Sequence, residues 1–481
     1  MKLTLAKLPF LLLSACALSA QTAPPLLVQL RPIVLDSHGQ PVHDLTADDF
    51  KITDQGRPQA IYFFRRPAAS NAPPVRGEYS NRSSGAPPRV TAILFDLMNE
   101  AAPNRVDTWH LLAKSVPQVE PGGLLYFYLL DLNGDLVTVH GIGSAAGSDA
   151  NWQQTFEADL DKAMNAANRV RPAGIDREYQ VKKTYLALET LARQLATVPG
   201  RRDIVWLTDR MPVITNSFRC DGEDWVDCGL YVAHTAVTLE GTGVAVNPTS
   251  FIGIGVLGSS YDLEQMALLT GGRTFFGPPL QEGLRQLARN SEGAYEIAYA
   301  PGAQNWDNKF HRVRVTCARN GVKLQVKERY YALPDSRSAT ERQREALQAA
   351  YNRPSDTNDI GLHIKVSQVA NGVHVEMRID AADILLRERD GKFVGAITML
   401  FSDRGAAEEA ENRGLQFRPV GEPMASIATL DLTRNEYDLL MRNGFISISR
   451  DHTIPTAVEG VRVIVFDQNT DRSGSITFPV R

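Results

Sequence analysis

Cysteine is scarce in this chain, with four residues in 481, and no two of them have the CxxC spacing of a redox or zinc motif. No HExxH, GxSxG or P-loop string occurs, so metalloprotease, serine hydrolase and nucleotide hydrolase readings have no residues to rest on. Neither sign of charge is in excess: 51 Lys and Arg against 55 Asp and Glu give a net charge of -4, which leaves no basic stripe for nucleic acid or an anionic membrane. After the N-terminal segment no apolar run approaches the roughly 18 residues that a membrane-spanning helix needs. The nine histidines are scattered, with no metal-ligand spacing.

The N-terminus reads as an export signal. Lys2 and Lys7 precede the apolar run Leu8 to Leu13, and small residues follow before Gln21. Residues 1–20 are read as a signal peptide cleaved after Ala20, giving a secreted or periplasmic protein. Leu13-Ser-Ala-Cys16 resembles a lipobox, and the alternative is an outer-membrane lipoprotein anchored through Cys16. In an oxidising compartment Cys220 and Cys228, which flank the acidic segment Asp221 to Asp227, are expected to close that loop as a disulfide. Cys317 lies among alternating apolar residues and reads as a small buried hydrophobe.

At this length two to four domains are expected. Residues 25–66 carry short strands, too few to bury a core alone, and residues 67–88, rich in Pro, Ser, Gly and Asn, read as a linker. From residue 89 to 293 buried strands alternate with amphipathic helices, the pattern of a doubly wound, mostly parallel α/β sheet. Its strands include Val90 to Asp96, Asp203 to Asp209 and Ser250 to Leu257; Asn133-Gly134 marks a hairpin and one antiparallel edge strand. Helical spacing is read at Trp109, Leu112 and Val116, at Tyr185 to Leu195, at Tyr261 to Leu269 and at Leu280 to Arg289. Residues 294–332 return to a period of two and are expected to pair with 25–66 as one small β-sandwich, with the α/β domain inserted between its halves. Residues 333–358 read as a second linker, helical or disordered, and 359–481 as an immunoglobulin-like β-sandwich interrupted by a helix at Arg434 to Met441.

Two motifs fail on context. Gly253-Ile-Gly255-Val-Leu-Gly258 has dinucleotide spacing but begins inside a late strand and lacks the acid that would meet a ribose. Asp467-Gln-Asn469-Thr-Asp471 has the spaced oxygens of a calcium loop, yet Phe478 stands where a bidentate Glu is required, so a tight turn is expected.

Asp96 and Asp209 close two buried strands, at the carboxyl ends where α/β sheets bind ligands. Here the chain resembles von Willebrand factor A domains, specifically exported proteins of the Acidobacterial type with a von Willebrand factor A-related domain. The resemblance covers nearly the whole chain. It rests on Leu35 to Phe50, Ile93-Leu-Phe-Asp96, Pro199 to Thr208, Leu269-Thr-Gly-Gly272, Tyr299-Ala-Pro-Gly302 and Lys309 to Val313. It implies a metal-ion-dependent adhesion site: Asp-x-Ser-x-Ser, a Thr and a second Asp around a hard cation such as Mg²⁺ or Mn²⁺. In this sequence the first loop reads Asp96-Leu-Met98-Asn99-Glu100, so both Ser positions are lost. Asp209 matches the later acid, Thr184 is the nearest Thr, and Asn99 and Glu100 offer other oxygens. The expectation is a degenerate, metal-free site in a non-enzymatic binding, adhesion or scaffold protein with a protein partner in the cell envelope or outside it. The alternative is an envelope hydrolase using Asp96, Glu100 and Asp209 as catalytic acids.

Overall fold

A computed structural model describes residues 4–8, 25–66, 77–82, 89–118, 123–141, 152–169, 177–196, 198, 201–209, 213–214, 219–220, 228–250, 259–276, 282–283, 285, 294–302, 305–353, 356–410, 414–455 and 458–480. It is a mixed α/β protein dominated by strands in several sheets.

The apolar run Arg89–Asp96 forms the central strand, β1, and all eight of its residues are buried. Beside it lie β2 (Gly123–Leu130) and β4 (Arg202–Leu207), both parallel to it. The Asn133-Gly134 turn sends β3 (Leu136–His140) back antiparallel along β2, as its two-residue signal requires. Beyond β4 come β5 (Val244–Ser250) and β6 (Phe275–Phe276), so the sheet order is β3-β2-β1-β4-β5-β6. Among the described residues five helices cover it: α1 (Asn104–Ser115), α2 (Trp152–Arg169), α3 (Arg177–Leu195), α4 (Gly229–Thr242) and α5 (Ser259–Thr270). Alternation along β1 divides the core in two. Val90, Ala92 and Leu94 pack with Trp206 against Tyr185 and Leu188 of α3, Val232 of α4 and Met266 of α5. Ile93 and Phe95 pack with Phe127 against Leu112 of α1 and Phe156 and Leu160 of α2.

The strand expected at Ser250 to Leu257 is displaced: the buried strand is Val244–Ser250, and residues 251–258, with the dinucleotide-like glycines, lie outside the described residues. Asn247-Pro248 has the look of a turn, but β6 reaches only Thr249 and Ser250, so Pro248 sits where no neighbour on that side asks for its missing N–H. Most of the helix expected at Leu280 to Arg289, all of the segment 221–227, and the stops at 121–122 and 199–200 also fall outside the described residues.

The strands flanking this unit pair with each other. Val28–Leu30 and Ile61–Arg65 lie on either side of Glu296–Tyr299, Phe50–Asp54 pairs with Phe310–Cys317, and Ile33–Leu35 with Lys323–Gln325. Their alternating apolar residues, among them Val28, Leu30, Val34, Ile52, Ile297, Val313 and Val315, share one core. The α/β unit therefore leaves and re-enters one small two-layered body.

Residues 359–481 form two sheets that enclose a second apolar core, with the helix at Arg434–Asn443 between strands of the two. The first linker needs correction, and the second takes the helical form of its two alternatives. Within 67–88, Glu78–Ser80 is an edge strand on Leu362–Val369, Tyr79 stacks with Phe478, and Arg82 pairs with Asp380 and Asp383. Three residues in a polar stretch are too few to show a period. Within 333–358, Ala339–Asn352 is a helix with a Ser338/Glu341 capping box, and its Leu347 and Ala350 pack on Leu400 and Ile464. Of the N-terminal 20 residues, Thr4–Leu8 lies antiparallel along Met424–Thr433; residues 9–20, with Cys16, are outside the described residues. The calcium-like segment is a turn: the buried Asp467 carboxylate accepts from the Asn469 and Leu385 amides and the Thr470 hydroxyl.

A buried ionic joint ties the small sandwich to the C-terminal one. Arg65 donates to Glu296 at 2.6 Å and to Asp383 at 3.2 Å, and Arg472 pairs with Glu296 at 2.5 Å.

Candidate functional site

The five residues singled out at the carboxyl end of the sheet meet in two adjoining groups. Leaving β1, the chain turns within four residues: Leu97 N–H bonds the Leu130 carbonyl and Glu100 N–H bonds that of Asp96. This turn brings Asn99 back over the Asp96 side chain. One carboxylate oxygen of Asp96 accepts the Asn99 backbone N–H at 3.0 Å; the other accepts the Asn99 side-chain amide at 2.6 Å and the Trp206 indole N–H at 2.9 Å. The same amide nitrogen donates to the Thr184 hydroxyl at 2.8 Å, and that hydroxyl in turn donates a hydrogen bond to the Gln180 carbonyl. Gln180 completes the ring by donating to the Asn99 side-chain oxygen and the Met98 carbonyl. Asp96, Asn99 and Thr184 are each 0% exposed.

Asp209 stands beside this ring. It accepts from the Ala101 N–H at 2.9 Å, the Asn104 amide at 2.8 Å and the Ser250 hydroxyl at 3.2 Å, which ties the β4 end to the start of α1 and the end of β5. Glu100, also buried, accepts the Thr108 hydroxyl at 2.7 Å. Burial pushes the Asp96 carboxyl up to about 6 against its hydrogen bonds to Asn99 and Trp206. Burial also pushes Glu100 up to about 7, with the charges of Asp209 and Asp96 adding to the rise.

A divalent cation bound here would compete with the Asn99 amide. It would need the Asp96 oxygens and the Thr184 hydroxyl as ligands, and the Asn99 amide, a donor with two positive hydrogens, already spans those two groups. Met98, at one lost Ser position, points at the β2–β3 turn, where a Cβ on Gly134 would come within 2.9 Å of its methyl group. Among the described residues no group of three or more His, Cys, Asp or Glu is placed to hold a metal ion.

Gln180, Trp206, Asn104, Thr108 and Ser250 belong to the site and were not anticipated. Trp206 carried a usable signal, since an indole N–H in a fully buried strand must find an acceptor and the strand beside it ends in an acid. Around the site the first turns of three helices leave large apolar side chains in solvent: Val106 on α1, Tyr179 on α3 and Leu230 on α4, the last 76% exposed. Cys228, just before α4, is buried and disulfide-bonded; Cys220 lies in a short strand paired with Val213–Ile214, its side chain outside the described set.

Neither a family model nor a curated protein matches the chain. Among solved structures, a DUF4848 family protein from Bacteroides thetaiotaomicron is similar over 26% of this chain and 42% of its own, at 11% identity and a TM-score of 0.14. No helix among the described residues is long and apolar enough to cross a membrane.

Proposed function

We propose that this is an exported, non-catalytic binding or scaffold protein whose α/β unit is of the von Willebrand factor A type, with an adhesion site that has given up its metal, carried beside an immunoglobulin-like sandwich. One observation carries the reading: the Asn99 amide bridges Asp96 and Thr184 where a cation would sit. The sheet order, with an antiparallel edge strand and helices on both faces, supports the same assignment. A partner would then be held by apolar contact with the rim formed by Val106, Tyr179 and Leu230 rather than by donating an acid to a metal. A catalytic role for Asp96, Glu100 and Asp209 is less well supported. Asp96 is sealed from solvent, and all three acids are engaged by neutral donors of the protein itself. In this reading Cys220 is the partner of Cys228, which peptide mapping without reduction would test.

The test combines metal and partner. Millimolar Mg²⁺ or Mn²⁺ should leave the melting temperature of the full chain unmoved, because a ligand that does not bind the native state cannot shift its unfolding. Partner capture from envelope proteins should persist in EDTA and be lost in Val106→Glu with Leu230→Glu. Metal-dependent capture, or hydrolysis of an envelope polymer that disappears in Asp96→Ala, would overturn the proposal.

A further inference from the structure

The C-terminal sandwich takes one of its strands from the far end of the chain. Thr4–Leu8 lies antiparallel along Ala425 to Thr429, on the outer edge of the ten-residue strand Met424–Thr433. The inner edge of that strand is paired along its whole length with Lys392 to Phe401, with no shift of register. No strand follows Thr4–Leu8 in this sheet. Among the described residues, these five therefore stand between Ala425 to Thr429 and an open sheet edge.

A sheet edge that stays single is normally short, bulged, covered, or guarded by charge or proline, because its free N–H and C=O groups pair with any extended chain. The other outermost strands of the sandwich show these devices. Along Arg472–Pro479, Gly474 bridges to Asn358, Ser475 N–H bonds the Thr357 carbonyl and Thr477 N–H bonds the Asp356 carboxylate. Phe445–Thr453 carries Arg450, Asp451 and His452, and Glu78–Ser80 is only three residues long. Met424–Thr433 has no bulge, no proline and no Lys or Arg. Its single charge, Asp431, lies outside the stretch that Thr4–Leu8 covers.

We propose that removal of residues 1–20 on export opens this edge and that a second copy of the chain takes it, Ala425 to Thr429 of each copy pairing antiparallel about a twofold axis at Ile427. The inference rests on the export reading above. Until processing, Thr4–Leu8 fills the edge and keeps the precursor single. A twofold axis normal to a sheet sets an edge strand antiparallel to its own twin, the sense in which Thr4–Leu8 already lies. Ile427 is the midpoint of the covered stretch. An axis there sets Ile427 against its twin, Ser426 against Ala428 and Ala425 against Thr429, a β-branched pair flanked by small residues with no charge among them. Asp431 falls opposite Pro423 rather than opposite itself. Main-chain hydrogen bonds supply the affinity of such strand addition, and the facing side chains supply the selectivity.

Size exclusion with light scattering reads the oligomeric state of protein recovered from the export compartment, and its intact mass reports whether residues 1–20 are gone. The processed chain is expected to be dimeric at micromolar concentration and the unprocessed full chain monomeric. Ile427→Lys sets two lysines face to face and should weaken the dimer about tenfold or more, whereas Ile427→Val should keep it. A synthetic peptide of residues 2–9 should return the processed dimer to monomer, a measurement that needs no substitution in the fold. In the unprocessed chain, Leu5→Pro with Ala6→Pro removes two successive N–H donors, one of which faces the edge in either register. That variant should release the strand and form the dimer without cleavage. Retention of residues 1–20 in the exported protein overturns the export reading and the unmasking with it. A processed chain that stays monomeric, a dimer indifferent to both Ile427→Lys and the peptide, or a proline variant no more dimeric than its parent overturns the pairing and leaves the export reading standing.

Discussion

Asp96 and Glu296 are both acids taken out of water, and they titrate in opposite directions. At the carboxyl end of the sheet, Asp96 and Glu100 are surrounded by neutral donors and burial raises both. In the joint, burial also acts to raise Glu296, but Arg472 and Arg65 beside it outweigh this and hold the carboxyl far below its usual range. Asp359 is lowered in the same way, with Arg472 the chief offset to burial. Burial sets the size of the problem, and the partner's charge decides which way the acid moves. One region moves its acids up toward the physiological range, the other holds them ionised far below it.

The largest way to break this contrast is to remove a cation from the joint. Arg65→Met leaves Glu296 and Asp383 buried without it and should cost about 3–5 kcal/mol in denaturant unfolding. Loss of less than about 1 kcal/mol would mean that the joint is looser than its contacts imply. Next, Asn99→Asp replaces the bridging amide by a second carboxylate against Asp96. Without metal it should cost about 2–3 kcal/mol, and millimolar Mg²⁺ or Mn²⁺ should recover part of that, whereas neither ion should stabilise the parent. A variant as stable as the parent, with no response to either ion, would remove the argument that the amide stands in a cation's place.

Trp206→Phe keeps the packing and deletes one donor to Asp96, for an expected loss of about 1–2 kcal/mol. The Asp96 carboxyl should also titrate higher, visible by NMR of the side-chain carboxyl carbon. The smallest effect at any single pH is spread over a window. Because the folded-state pKa of Glu100 is raised to about 7, its contribution is full below the unfolded value and is lost as pH rises through about 7. Glu100→Gln should therefore flatten the decline in melting temperature between about pH 4.5 and 7.5. Glu296 and Asp359 behave in the reverse sense: their contribution is present above the unfolded pKa and is lost as the solution becomes acid, so Glu100→Gln leaves the acid limb unchanged. An unchanged neutral limb in the variant would show that Glu100 is ionised in the folded protein.

Long periodic segments were legible and isolated ones were not. Arg89–Asp96 declares itself by a run of apolar residues ending in an acid, and the Asn133-Gly134 turn by its residue types. Asp96, Asn99, Thr184 and Asp209 were readable from position and resemblance, but the network that joins them depends on Gln180 and Trp206, which approach from other elements. Glu78–Ser80 and the shifted strand Val244–Ser250 show the limit: three residues have no period, and Pro248 looks like a break until the missing neighbour is known. Helix α2 is legible in its spacing alone. Phe156, Leu160, Ala163, Met164 and Ala167 keep helical spacing, directly after a glycine- and serine-rich stretch of loop composition.

The way the α/β unit is inserted has a mechanical side. Tension applied between Val28 and Tyr331 does not run along β1 to β6. It is borne sideways by the strand pairs of the small sandwich, Phe50–Asp54 on Phe310–Cys317 and Ile61–Arg65 on Glu296–Tyr299, as a load is borne by the rungs of a ladder sheared lengthwise. The unit with the Asp96 face hangs off that load path, so under pull that face stays unstretched until the sandwich itself gives way.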